Sequence, residues 1–210
     1  MKLRLPSLLL TLLLAACSRQ GTVEDGGIYT VRSACPQVAI PAGTGDVTLF
    51  NPAGMTESTA IDISATMTHV RAACDESGSN IVSTATFNVL ATRRDAGQAR
   101  QVVLPYFDVV VQAGNQVVAK RVGQVGLNFA AGSMRAQTSG QASVRISRAA
   151  ATLPADVRSI LTRRRKVGDE NAAVDPLSDP AVREAVARAS FQHLVGFQLN
   201  PDQLRYNATR

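Results

Sequence analysis

Tryptophan is absent from this chain of 210 residues, which has only three tyrosines and six phenylalanines. Sugar-binding clefts commonly stack pyranose rings on aromatic faces, so this scarcity weighs against a carbohydrate module. Histidine is almost as rare, with His69 and His193 the only two, which restricts the nucleophile-base arrangements open to a hydrolase. No serine stands in a Gly-x-Ser-x-Gly elbow or a Ser-x-x-Lys pair, and no glycine-rich phosphate cradle occurs. Cysteines at Cys-x-x-Cys spacing are missing too, which argues against a zinc site. Long apolar runs are also lacking. The longest uncharged stretch near the start, Leu5 to Ala16, is interrupted by Pro6, Ser7 and Thr11 and falls well short of the roughly twenty apolar residues that span a bilayer.

What stands at the start is instead a basic opening, Met1-Lys2-Leu3-Arg4, a short greasy run and a small-residue end at Ala15-Ala16-Cys17-Ser18. This is the pattern of an export signal. The block Leu14-Ala15-Ala16-Cys17 resembles the lipobox of bacterial lipoproteins at all four positions. The resemblance implies diacylation of the Cys17 thiol, cleavage before it and acylation of the freed amine, so that Cys17 becomes the first mature residue and carries lipid such as palmitate. Several acyl chains on one residue anchor a protein stably, whereas one binds only marginally. Ser18, standing where aspartate would imply retention in the inner membrane, implies the periplasmic face of the outer membrane of a Gram-negative bacterium. The resemblance covers the first eighteen residues.

Removing the signal takes away Lys2 and Arg4 and leaves 20 basic against 16 acidic residues. This modest excess suits anionic lipid or polymer, and the exported compartment sets nucleic acid aside as a partner. Two lysines, Lys120 and Lys166, remain beside many arginines, a bias that fits a GC-rich genome better than selection for phosphate binding. About 190 residues are enough for one domain with a real core. Apart from Cys17, the mature chain has Cys35 and Cys74, and an oxidising compartment predicts a disulfide between them.

Four stretches follow: a signal over 1-16, a lipidated polar tether over 17-27 ending in Gly26-Gly27, an antiparallel β domain over 28-150, and a C-terminal helical segment over 151-210 packed on the sheet. Strands are expected at Ile28 to Arg32 and Val47 to Phe50. Ile61, Ile63, Ala65 and Met67 alternate with Asp62, Ser64, Thr66 and Thr68, the period-two signature of a half-buried strand. A turn at Asp75 to Asn80 joins it to a second alternating strand from Ile81 to Ala91. Val102 to Val111 is apolar on both parities and predicts a central strand. After the Ala113-Gly114-Asn115-Gln116 turn, Val117 to Phe129 pairs back, with Gly123 and Gly126 as expected bulges or bends, and Met134 to Ser147 supplies a last strand.

Helical spacing then appears at Val157, Ile160 and Leu161. Asp179 and Pro180 start a second helix, whose apolar face runs from Val182 to His193 and Leu194 with Gly196 as its stop, the alternative being a strand over Phe191 to Leu199. Asn200-Pro201-Asp202-Gln203 has the form of a capped helix start. The expected class is α+β: an antiparallel sheet or sandwich of about six or seven strands followed by two or three helices.

Candidates for chemistry each have a plainer structural reading. His69 shares the parity of Met67 and reads as a core or edge residue; His193 reads as a core residue on a helix stripe. Asp75-Glu76 and Asp169-Glu170 read as solvated turns, and Asp75, Ser77 and Ser79 lack the full pattern of a calcium loop. Asp62 and Asp108 are the remaining carboxylates. Asp108 lies within an apolar run, where it requires a partner such as Arg121 or a shifted pKa. Arg163, Arg164, Arg165 and Lys166 suit a helix C-terminus and could also meet an anionic partner. No cofactor or metal site is expected. The sequence favours a non-enzymatic envelope module that meets another envelope protein or an anionic polymer. The alternatives are a carrier of lipid or another hydrophobic ligand, and a hydrolase using dispersed carboxylates.

Overall fold

A computed structural model describes residues 22–24, 27–29, 33–163, 168 and 174–209. Two compact units divide the chain, one formed by Met1–Ser33 with Arg163–Val174 and the other by Ala34–Thr162 with Asp175–Arg210. The first contains a ribbon of two antiparallel strands, β1 (Thr22–Glu24) and β2 (Gly27–Tyr29), with Val23 opposite Ile28. β1 thus places a strand inside the segment that the sequence assigns to a tether. Cys17 and residues 30–32 lie outside the described residues.

The second unit is built on β3 (Gln37–Ala39), β4 (Asp46–Phe50), β5 (Ile61–Asp75), β6 (Asn80–Arg93), β7 (Arg100–Gln112), β8 (Gln116–Phe129), β9 (Arg135–Ser147) and β10 (Phe191–Phe197). Three helices accompany them: α1 (Ala155–Thr162), α2 (Pro180–Arg188) and α3 (Pro201–Thr209). The class is α+β, with eight strands in two four-stranded sheets ordered β3-β10-β7-β8 and β4-β5-β6-β9. All pairings are antiparallel except β3 with β10. The alternation in the sequence decides which side chains meet between the sheets. Ile63, Ala65 and Met67 of β5 and Ala85, Phe87 and Val89 of β6 join Leu104, Leu127, Phe129, Val195 and Phe197 from the other sheet in one buried cluster. Burying such side chains contributes roughly 1.5–3 kcal/mol each, so the face-to-face packing of the two sheets holds the fold together.

Helix boundaries follow local chemistry. The Asp179 carboxylate accepts the Ala181 N–H ahead of α2, with Pro180 in its first turn. Asn200 and Gln203 cap α3 reciprocally, each side chain accepting the other's backbone N–H. Tyr206 of α3 packs edge-on against Phe50 of β4, with ring centroids 5.0 Å apart.

Three expectations need correction. The second helix stops at Arg188 and does not continue through His193 to Gly196. As a helix, the residues from Phe191 to Gly196 would leave the β7 backbone without a partner on the side of β3. As a strand, these residues instead complete the sheet between β3 and β7, with His193, Val195 and Phe197 on the buried parity. The second correction concerns Gly123 and Gly126, which pair regularly with Tyr106 and Val103; the register shift lies at Val110/Val111. Gly123 is required for close approach, since a Cβ there would come within 2.5 Å of the Tyr106 ring. The third is β3, three residues between Pro36 and Pro41 that pair with β10, a strand the sequence pattern does not predict.

Candidate functional site

Cys35 and Cys74 form a disulfide with an S–S distance of 2.00 Å across 39 positions of sequence. Cys74 lies opposite Ser83 in the β5–β6 pairing, so the crosslink ties the chain ahead of β3 to the far end of the hairpin.

Ser83 begins a line of buried polar groups. Its hydroxyl is 3.0 Å from His193 Nδ1, and His193 Nε2 is 3.2 Å from Asp108 Oδ1. The Arg121 guanidinium donates to Asp108 Oδ2 at 3.0 Å. The four residues come from β6, β10, β7 and β8, and the line crosses from one sheet to the other. The pairing of Asp108 with Arg121 agrees with the sequence expectation; the other two members come together only through the fold. His193 Nε2 and Asp108 Oδ1 lie at ion-pair distance without hydrogen-bond alignment. The Ser83 contact suits either ring tautomer, the hydroxyl accepting from an Nδ1–H or donating to a bare Nδ1.

Serine, histidine and aspartate in a row invite a catalytic reading, but a nucleophile must reach its substrate. Ser83 is 1% exposed and His193 0%. The line is closed, and it pairs polar groups that sheet stacking has buried, Ser83 with His193 and Asp108 with Arg121. Arg121, with its side chain 62% exposed, caps it at the β8 edge. Nearby, the Tyr106 hydroxyl donates to the Gln141 carbonyl at 2.8 Å; burial, followed by the charge of Asp108, raises its pKa above the usual phenol value.

The other candidates are dispersed. Asp62 accepts two hydrogen bonds from Arg100, at 2.8 and 2.7 Å, and this pairing holds the guanidinium pKa above its ordinary value. Asp75 accepts the Ser77 N–H within the hairpin turn, and that bond lowers its pKa. Arg163 is exposed just past α1, whereas Arg164, Arg165 and Lys166, like Asp169 and Glu170, lie outside the described residues. Among the described residues no group of three His, Cys, Asp or Glu side chains is placed to hold a metal ion. No helix among them is long and apolar enough to cross a membrane.

His69 departs from the parity of Ile63, Ala65 and Met67. A bulge between Thr68 and Arg71 adds one residue to β5, and His69 takes a left-handed φ of +52° there. The extra residue inverts the inward-outward alternation: Val70 packs on the core, Arg71 faces Thr86, and His69 is exposed. β4 pairs with β5 only as far as Thr66, so His69 stands at an edge. His69 and Arg71 line an open groove of about 420 Å³ with Thr86 and Asn88 of β6 and Ser139 and Gln141 of β9. Thr86 and Asn88 alternate with the buried Ala85, Phe87 and Val89, which puts the groove on the outer face of this sheet. Gly140, opposite Phe87, leaves room for its ring, since a Cβ there would lie 2.4 Å from it.

Sequence reading misses this groove because the bulge has no glycine to mark it. It also misses Arg93, which is 6% exposed and donates to the carbonyls of Gly97, Gln98, Ala130 and Ser133 while stacking on Phe129. That guanidinium fastens the β6–β7 loop to the β8–β9 loop. Comparison with protein families, with curated proteins and with solved structures finds no match to this chain.

Proposed function

We propose that this chain is a lipid-anchored envelope protein of non-enzymatic, binding or structural type, held at the periplasmic face of the outer membrane by acyl chains on Cys17. The observation that carries the reading is the Cys35–Cys74 disulfide. Such a crosslink belongs to an oxidising compartment, which is where the signal and lipobox of residues 1-17 would deliver the chain. A binding role draws further support from the closed state of the Ser83–His193–Asp108 line and from a groove open to solvent on the outer face of the β4-β5-β6-β9 sheet. The interior between the sheets is occupied by Phe87, Phe129, Phe197 and Leu127, which favours a ligand or partner on the surface over an acyl chain carried inside. Another envelope protein or an anionic envelope polymer is the partner class this reading assigns, with Arg163 to Lys166 as one basic contact.

Fractionation of cells grown with labelled palmitate tests the anchor. The wild-type chain should carry label and sediment with the outer membrane, and Cys17→Ser should lose both. A Cys17→Ser chain that remains equally membrane-bound contradicts the proposal.

A further inference from the structure

We propose that the groove between His69, Arg71 and Gln141 binds the oxyanion, a carboxylate or phosphate, of a small hydroxyl-bearing ligand. This deepens the binding reading above and rests on it. None of the six polar side chains that line the groove is a carboxylate, and all but Ser139 have a hydrogen-bond donor to offer. Asn88 Oδ1 already accepts the Ser139 hydroxyl at 3.0 Å, which leaves the Asn88 amide hydrogens as the groups it offers to a ligand.

Arg71 carries the charge. The arginines at 100, 121, 188 and 205 each hold a carboxylate, whereas Arg71 makes no ion pair or side-chain hydrogen bond among the described residues. A guanidinium without a carboxylate, set among donors, is suited to a two-oxygen anion that its fork can grip. Nothing on the β9 side supplies a competing negative charge. From Val109 to Ala155 the chain contains no acidic residue and five basic ones, Lys120, Arg121, Arg135, Arg145 and Arg148. The bulge supplies the geometry, since it turns His69 and Arg71 outward together. A non-glycine residue in the left-handed region costs backbone energy and persists only where its surroundings hold it, a condition that clusters at ligand sites. A volume of about 420 Å³ suits a molecule the size of an acidic sugar.

Calorimetric titration of the full mature chain in detergent tests this, with D-glucuronate and glucose 6-phosphate as probes and glucose as the neutral control. Phosphatidylglycerol and phosphatidylcholine vesicles provide a second arm. Arg71→Ala should weaken binding of the anions roughly ten- to a hundredfold, Arg71→Lys should restore part of it, and glucose should not bind. Arg71-dependent binding to phosphatidylglycerol alone would also support the site and assign the phosphate to a lipid headgroup. Glucose binding as well as glucuronate, or anion binding that is absent or insensitive to Arg71, would overturn the proposal. Cys17→Ser should bind the same probes unchanged, so a failure of the anchor and a failure of the groove give different results.

Discussion

The buried line around His193 and the open groove around His69 hold the only two histidines of the chain, and their surroundings assign them opposite work. His193 sits on the inward parity of a regular strand, flanked by Ser83 and Asp108 and sealed from solvent. His69 sits at a bulge on an outer face, beside an arginine with no carboxylate. The region that looks more like a catalytic centre is the one that no substrate can enter. The region with no recognisable motif is the one that faces solvent with charge to spare. Access and pairing decide between the two roles, and residue type alone does not.

The largest effect expected comes from the Cys35–Cys74 crosslink, whose Cys74 is exposed opposite Ser83 of the buried line. Removing the crosslink with Cys35→Ser and Cys74→Ser together releases a loop of 39 positions, for which chain entropy predicts a loss of up to about 4 kcal/mol. Urea unfolding of the oxidised wild type against the double variant measures it, and an unchanged midpoint would detach the disulfide from the stability of this end.

Asp108→Ala comes next. It leaves His193 buried without its carboxylate and frees Arg121, at a cost of about 3 kcal/mol, the lower end for a broken buried pair because Arg121 is largely solvated. Ser83→Ala should cost about 1 kcal/mol, the net value of a single hydrogen bond. Thermal unfolding gives both values. If Ser83→Ala abolishes a hydrolytic activity while stability is kept, the structural reading of the line is wrong.

The smallest effect on stability belongs to the groove. Arg71→Ala and His69→Gln should each fall within about 0.5 kcal/mol of wild type, as surface substitutions do. A loss of several kcal/mol would mean that these residues support the bulge and are not held in reserve for a ligand.

Much of this contrast follows from how far a local pattern reaches. β5 and β6 are legible because alternation is repeated over many residues, and the core face follows from it directly, whereas β7 is legible as a run apolar on both parities. Asp108 is legible as a residue in need of a partner, since a carboxylate among valines cannot remain alone. Phe191 to Phe197 fits either a strand or a helix face over seven residues, and only the gap between β3 and β7 resolves it. The His69 bulge defeats alternation by adding one residue, which reverses every side chain after it. Arg93 reads as part of a charged turn, because the four carbonyls that surround it come from two loops distant in sequence.

Diethyl pyrocarbonate modification of the native chain, followed by peptide mass spectrometry with and without D-glucuronate or phosphatidylglycerol vesicles, tests the contrast most directly. The account predicts that His69 is modified and is shielded by the ligand, while His193 stays unmodified until the protein unfolds. Modification of His193 in the folded protein at a rate similar to His69, or a His69 reactivity that neither D-glucuronate nor phosphatidylglycerol vesicles lower, would contradict it.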